Sequence, residues 1–110
     1  MENNSTEFKR KIPILYLVVP CYNEEEVIER SMQVLGDKMR RLQRAGKIEA
    51  GSKVMFVNDG SKDRTLRLLH TAAKEDALFS VVSLAGNYGH QSAILAGMMT
   101  AKEYADAVVT

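Results

Sequence analysis

Apolar residues run unbroken through positions 14–19 and stop at Pro20, where a polar cluster, Tyr22-Asn23-Glu24, takes over. A short continuous apolar run closed by proline reads as a buried strand, because proline cannot donate to the next rung of a ladder. Pro20, Tyr22, Asn23 and Glu24 are then delivered at its carboxyl end. The same succession recurs twice: residues 53–57 lead into Asn58-Asp59-Gly60-Ser61, and residues 81–84 lead into the 85–90 segment that carries Asn87, Gly89 and His90. Between the first two runs, Ile28, Met32, Leu35, Met39 and Leu42 alternate at spacings of four and three, which predicts one face of a helix over 24–44. Gly36-Asp37 inside it costs about 1 kcal/mol relative to alanine and marks a candidate kink, while Ala45-Gly46 marks its end. A second helix is predicted from Ser61 to near Ala77 on Leu66, Leu69, Ala72 and Ala73. The third strand is expected over 80–84. A third helix follows over 91–104, where Ala93, Ala96, Gly97 and Ala101 allow close packing, and a fourth strand begins at Ala107.

Strands alternating with helices at this spacing imply βαβ units, an α/β class, a parallel sheet and right-handed crossovers. In open parallel sheets ligands sit outside the carboxyl ends of the strands. All three polar clusters fall on that one edge, so separate loops converge on one crevice.

Composition narrows the function classes. With 110 residues the chain is one small domain, expected over 12–110 behind a flexible N-terminus at 1–11. Fifteen basic and 14 acidic residues leave a net charge of +1, so no bulk field recruits nucleic acid or an anionic membrane. Lys38, Arg40, Arg41, Arg44 and Lys47 cluster at helical spacing and read as a solvated face. The single cysteine, Cys21, excludes an internal disulfide and points to a reducing, cytoplasmic compartment. It has no activating partner in sequence and reads as a small buried residue. No apolar run approaches the ~20 residues of a membrane span.

Each cluster admits a structural and a ligand-binding reading. Asn23 as helix cap with Glu26 three residues on makes a capping-box pair, and Glu24, Glu25 and Glu26 suit a helix N-terminus. Equally, Tyr22 offers a ring to pack on a base or ribose, and Glu24 an acceptor for base or ribose donors. Asp59-Gly60 is a turn and Ser61 a cap, yet Asp59 at a strand end also suits an imide N–H or a ribose hydroxyl. The 86–89 loop lets backbone amides approach an anion at a helix start, and His90 there is either cap or phosphate contact.

Taken together, V-P-C-Y-N-E at 19–24, V-N-D-G-S-K-D-R-T at 57–65 and N-Y-G-H-Q-S-A-I at 87–94 resemble the N-terminal half of a family 2 glycosyltransferase. The third motif is most similar to dolichol-phosphate mannose synthase and bacterial polyprenyl-phosphate glycosyltransferases. The resemblance implies the Rossmann-like parallel sheet of an A-type glycosyltransferase (GT-A) domain, truncated at about its fourth strand. It implies a nucleotide-sugar donor, UDP- or GDP-linked, and an acceptor that is a lipid phosphate or a glycan of the cell envelope. Pro20, Tyr22, Asn23 and Glu24 match the base-and-ribose pocket, and Asp59 the nucleoside-binding acid. Asn87, Gly89 and His90 match the loop near ribose and diphosphate. Asn58 stands where relatives often have the first Asp of Asp-Asp-Gly-Ser, and Ala85-Gly86 where they often have Ser-Arg. The divalent metal, Mg²⁺ or Mn²⁺, the catalytic base and any membrane-anchoring helices would belong to the parent beyond this chain, leaving this part without a catalytic residue and inactive alone. Two rivals accompany this reading, a non-catalytic nucleotide-binding module and a flavodoxin-like interaction domain. A sheet cut at its fourth strand would also favour self-association.

Overall fold

The computed structural model describes residues 12–110. The expectation for 1–11 lies outside the described residues. Four strands, β1 (Leu15–Cys21), β2 (Lys53–Asn58), β3 (Phe79–Ser83) and β4 (Ala107–Val109), form one sheet. Three helices connect them: α1 (Ile28–Arg44), α2 (Thr65–Glu75) and α3 (His90–Ala101). The spatial order is β3-β2-β1-β4 and every pairing is parallel. The predicted α/β class and Rossmann-like parallel sheet are therefore observed.

The alternation along the central strands sends side chains to two cores. Val54 and Phe56 join Cys21, Ile28, Met32, Met39 and Leu69 beneath α1 and α2. Met55 and Val57 join Tyr16, Val18, Ala93 and Ala101 beneath α3. This is why β1 and β2 read as continuous apolar runs: both of their faces are covered. The small residues of α3 perform the role expected of them. A Cβ on Gly97 would lie 2.5 Å from Val18 Cγ1 and 2.6 Å from Val57 Cγ2, so glycine is what lets the helix lie against the strands.

Several boundaries differ from the sequence expectation, each for a physical reason. β1 continues through Pro20 to Cys21. Cys21 presents its carbonyl to the Asp59 N–H on the β2 side, so Pro20, one residue earlier, turns its nitrogen to the opposite edge. Among the described residues β4 pairs with β1 as far as Leu17, so no ladder carbonyl stands opposite Pro20 on that edge. α1 starts at Ile28, not 24, and runs unbroken through Gly36. Gly36 is a packing glycine: a Cβ there would meet the Phe79 ring at 3.1 Å. The predicted stop holds, with Ala45 as the C-cap and Gly46 at φ 73°. α2 begins at Thr65 rather than 61, because the intervening residues bond to the segment after β1. β3 lies one residue earlier than expected, and α3 ends at Ala101 rather than 104. Of the basic cluster, Lys38, Arg41, Arg44 and Lys47 are exposed, whereas Arg40 pairs with Asp76.

Asp106, which opens the fourth strand, clasps the first. Its N–H donates to the Ile14 carbonyl at 2.8 Å, and its Oδ2 accepts the Ile14 N–H at 2.9 Å.

Gly97→Ala should lower stability by about 1–3 kcal/mol through overpacking, despite the ~1 kcal/mol that alanine gains in helix propensity. A drop in the urea midpoint at unchanged m-value is the expected result; a rise would show that α3 can shift off the sheet without cost.

Candidate nucleotide site at the strand ends

Register sets the height of the site. Cys21 pairs with Asn58, and Asn58 with Ser83, so β1, β2 and β3 finish at one level. Asn58 is buried, and its side chain ties these ends together: Nδ2 donates to Ser83 Oγ at 3.1 Å and Oδ1 accepts the Ser61 N–H at 3.3 Å. A neutral amide can do both, so asparagine here is a brace as well as the neighbour of Asp59.

Above this level opens a cleft of about 220 Å³, lined by Pro20, Cys21, Tyr22, Glu24, Asp59, Asn87, Gly89 and His90. The structure thus brings together all the candidate residues except Asn23, and adds Cys21. Tyr22 stands at the mouth, 41 % exposed. Asn23 faces elsewhere: it adopts φ 49°, its N–H donates to Ser61 Oγ at 2.9 Å and its Oδ1 accepts the Lys62 N–H at 2.8 Å. Asparagine tolerates the left-handed region better than most residues. The capping-box expectation is corrected by the same contacts. The residue preceding α1 is Val27, with no side-chain cap, and Glu24 supplies its carbonyl to the Val27 and Ile28 N–H groups at 3.0 and 2.9 Å. Ser61, expected to cap α2, serves Asn23 instead.

Asp59 is 3 % exposed and organises the third loop. Oδ1 accepts the Tyr88 N–H at 2.8 Å, and Oδ2 the Gly89 N–H at 3.0 Å. Gly60, at φ 72°, completes the arrangement, since a Cβ there would overlap the backbone of Gly86 and Asn87. Gly86, where an arginine was noted as frequent, is therefore in direct backbone contact with the Gly60 turn. Glu24 lines the cleft with its Oε2 taking the Tyr22 N–H at 3.2 Å.

The loops after β1 and β2 are laced by five hydrogen bonds, each from a backbone N–H to a side-chain oxygen. Glu24 N–H donates to Thr65 Oγ1 at 2.8 Å, Glu25 N–H to Asp63 Oδ2 at 3.2 Å, and Arg64 N–H to Glu25 Oε1 at 2.8 Å. The other two are those of Asn23. Of the residues that receive these amides, Ser61 was read from sequence as a helix cap, and Asp63 and Thr65 were given no role at the site; polar side chains ahead of a helix carry the same signal as a cap.

Two titrations at and beside the cleft are displaced. Burial, with the nearby Glu24 carboxylate adding to it, pushes the Cys21 thiol up to about 12. At Asp63 partial burial acts in the raising direction, but hydrogen bonds from the Thr65 hydroxyl and amide and the Glu25 amide outweigh it and hold the carboxyl below its usual range. Among the described residues, no three His, Cys, Asp or Glu side chains come together as a metal site, and no helix is long and apolar enough to cross a membrane.

A parallel sheet ordered 3-2-1-4, with its cleft above three level strand ends, is Rossmann-like and consistent with that half of a GT-A domain. The glycosyl transferase family 2 model matches residues 16–109, and the chain belongs to that family. It is 40 % identical over 102 residues to the uncharacterized glycosyltransferase YkoT of Bacillus subtilis, covering 93 % of this chain and 30 % of that protein. It is 37 % identical over 100 residues to the undecaprenyl-phosphate 4-deoxy-4-formamido-L-arabinose transferase of Pseudomonas paraeruginosa, covering 90 % of this chain and 27 % of the relative. Identity to the bactoprenol glucosyl transferase of Shigella phage SfV is also 37 %, over 82 residues, which is 74 % of this chain and 25 % of the phage protein. The chain thus spans three-tenths or less of the length of these relatives.

Cys21 should react slowly with iodoacetamide at pH 7–9 in the folded protein and quickly in denaturant. Because its folded pKa is raised, the stability it contributes is fully present below the unfolded value of 9.0 and lost as pH rises through about 12. A stability profile flat over that range in the wild type, or equal to that of Cys21→Ala, would contradict the assignment.

Asp59→Ala leaves two part-buried amides without their acceptor and should cost about 1–3 kcal/mol, with faster hydrogen exchange at Tyr88 and Gly89. Asp59→Asn retains one acceptor and should cost less. Unchanged exchange in Asp59→Ala would remove the clamp from the account.

Proposed function

We propose that this chain forms the nucleoside-binding part of an inverting family 2 glycosyltransferase that passes a sugar from a UDP- or GDP-sugar to a polyprenyl or dolichyl phosphate. The observation that carries it is the convergence of Pro20, Tyr22, Glu24, Asp59, Asn87, Gly89 and His90 on one cleft at the level ends of three strands. The names of two relatives, which specify undecaprenyl-phosphate and bactoprenol transfer, support a lipid-phosphate acceptor. Such an acceptor lies in a membrane, and the parent then works at its cytoplasmic face.

In this reading Tyr22 packs against the base or ribose, and Glu24 accepts a hydrogen bond from it. Asp59 holds the Asn87–Gly89 backbone where the ribose and first phosphate would lie, with His90 at the N-terminus of α3 beside them. A divalent metal, when bound, would neutralise the leaving diphosphate, and its ligands would come from elsewhere in the parent. An ionised acceptor phosphate needs little help from a base, because its oxygen is already the nucleophile. Tight fixing of the nucleoside serves this reaction by holding the anomeric carbon in line for displacement from the opposite face.

Calorimetric titration with UDP and with GDP, each with and without Mn²⁺, tests the reading. Binding that prefers one nucleotide and is little changed by metal is expected. Tyr22→Ala and Glu24→Gln, at exposed or half-exposed positions, should each weaken it about tenfold, without lowering stability by more than ~1 kcal/mol. Absence of binding at millimolar concentrations of both nucleotides, in a chain shown to be folded, would favour an interaction domain whose polar loops only brace one another.

A further inference from the structure

Thr65 is fully buried, yet its hydroxyl is engaged away from its own helix. Oγ1 accepts the Glu24 N–H at 2.8 Å and donates to Asp63 Oδ1 at 2.6 Å, while the Thr65 N–H donates to the same Asp63 oxygen at 2.9 Å. The other oxygen of Asp63 accepts the Glu25 N–H at 3.2 Å. A single unit, the Asp63 carboxylate with the Thr65 hydroxyl, thus receives two successive amides of the loop that enters the cleft.

Glu24 has no other fixed point on that side. Its carbonyl is committed to the start of α1 and its Oε2 to the Tyr22 N–H, both within its own loop. Among the described residues, contact of the Glu24 backbone with the rest of the domain through hydrogen bonding comes from Thr65 alone. Serine or threonine is required there, since the group must accept from Glu24 and donate to Asp63 simultaneously. A valine fills the same volume and does neither.

We infer that Thr65 is a positioning residue for the cleft: its hydroxyl, oriented by Asp63, sets the backbone of Glu24 and thereby the placement of the Glu24 carboxylate and the Tyr22 ring on the ligand. The inference rests on the reading of the cleft as a nucleoside site, and names which buried residue outside the cleft governs its affinity. Thr65 does not line the cleft and touches no ligand position.

The test compares Thr65→Val and Thr65→Ser in the full chain by three readouts. These are UDP and GDP affinity by calorimetry, hydrogen exchange at the Glu24 amide, and titration of the Asp63 carboxyl by carbon NMR. Thr65→Val should weaken nucleotide binding about tenfold, expose the Glu24 amide to exchange and raise the Asp63 pKa towards the ordinary carboxylate range. Thr65→Ser should keep all three within about twofold of wild type. If Thr65→Val does not fold, Asp63→Ala at a half-exposed position removes the orienting partner, and should reproduce the loss of affinity and the faster Glu24 exchange.

A folded Thr65→Val or Asp63→Ala with Glu24 exchange or nucleotide affinity unchanged within twofold overturns the inference. A wild-type chain with no nucleotide affinity, but with Glu24 exchange that responds to Thr65→Val, overturns the nucleoside reading. It also supports the mechanical link between Thr65 and Glu24.

Discussion

Backbone N–H groups donating to side-chain oxygens on a neighbouring loop are what hold the cleft edge of this domain in shape. Beyond the last rung of a parallel sheet the strands diverge and the ladder can no longer satisfy the main chain. Here side chains take over that duty. Asn23, Glu25, Ser61, Asp63 and Thr65 lace the first loop to the second, and the two oxygens of Asp59 gather the third. The sheet brings three strand ends to one height; the side-chain acceptors convert those ends into a cleft.

This division of labour separates two kinds of polar residue that look alike in sequence. Tyr22 and Glu24 line the cleft, whereas Asn23, between them, is spent on the second loop. Asp59 does both, lining the cleft while its carboxylate is occupied by two amides. Each carboxylate oxygen has a second lone pair, so bracing the loop and accepting from a ligand are compatible in one side chain.

Much of the fold was legible because it is written in short-range pattern. The run ending at Pro20, the 4-3-4-3 spacing of α1 and the Ala45-Gly46 stop each depend on neighbours within a turn or two. The convergence of the site was legible as well, since parallel topology forces all strand ends to one edge. What could not be read were partners 37–41 residues away. Asn23 followed by Glu26 carries the pattern of a capping box, and nothing local reveals that Ser61 and Lys62 receive Asn23 instead. Ser61 likewise carries the pattern of a cap. α1 and α2 start later than expected because the residues ahead of them bond across loops as well as to their own first turns. Gly36 shows the converse, a residue that argues locally for a break but is explained by Phe79 across the interface.

Pro20 governs how far the sheet can close. On the side of β1 that faces β4, the nitrogens that can donate belong to Tyr16, Val18 and then Pro20, and the last of these has no hydrogen to give. A strand zipping upward from the Leu15–Leu17 pairing therefore meets a missing tooth one residue short of the cleft floor. Pro20 thus leaves one position on that edge of β1, at the height of the cleft, with no proton donor to offer a neighbouring strand.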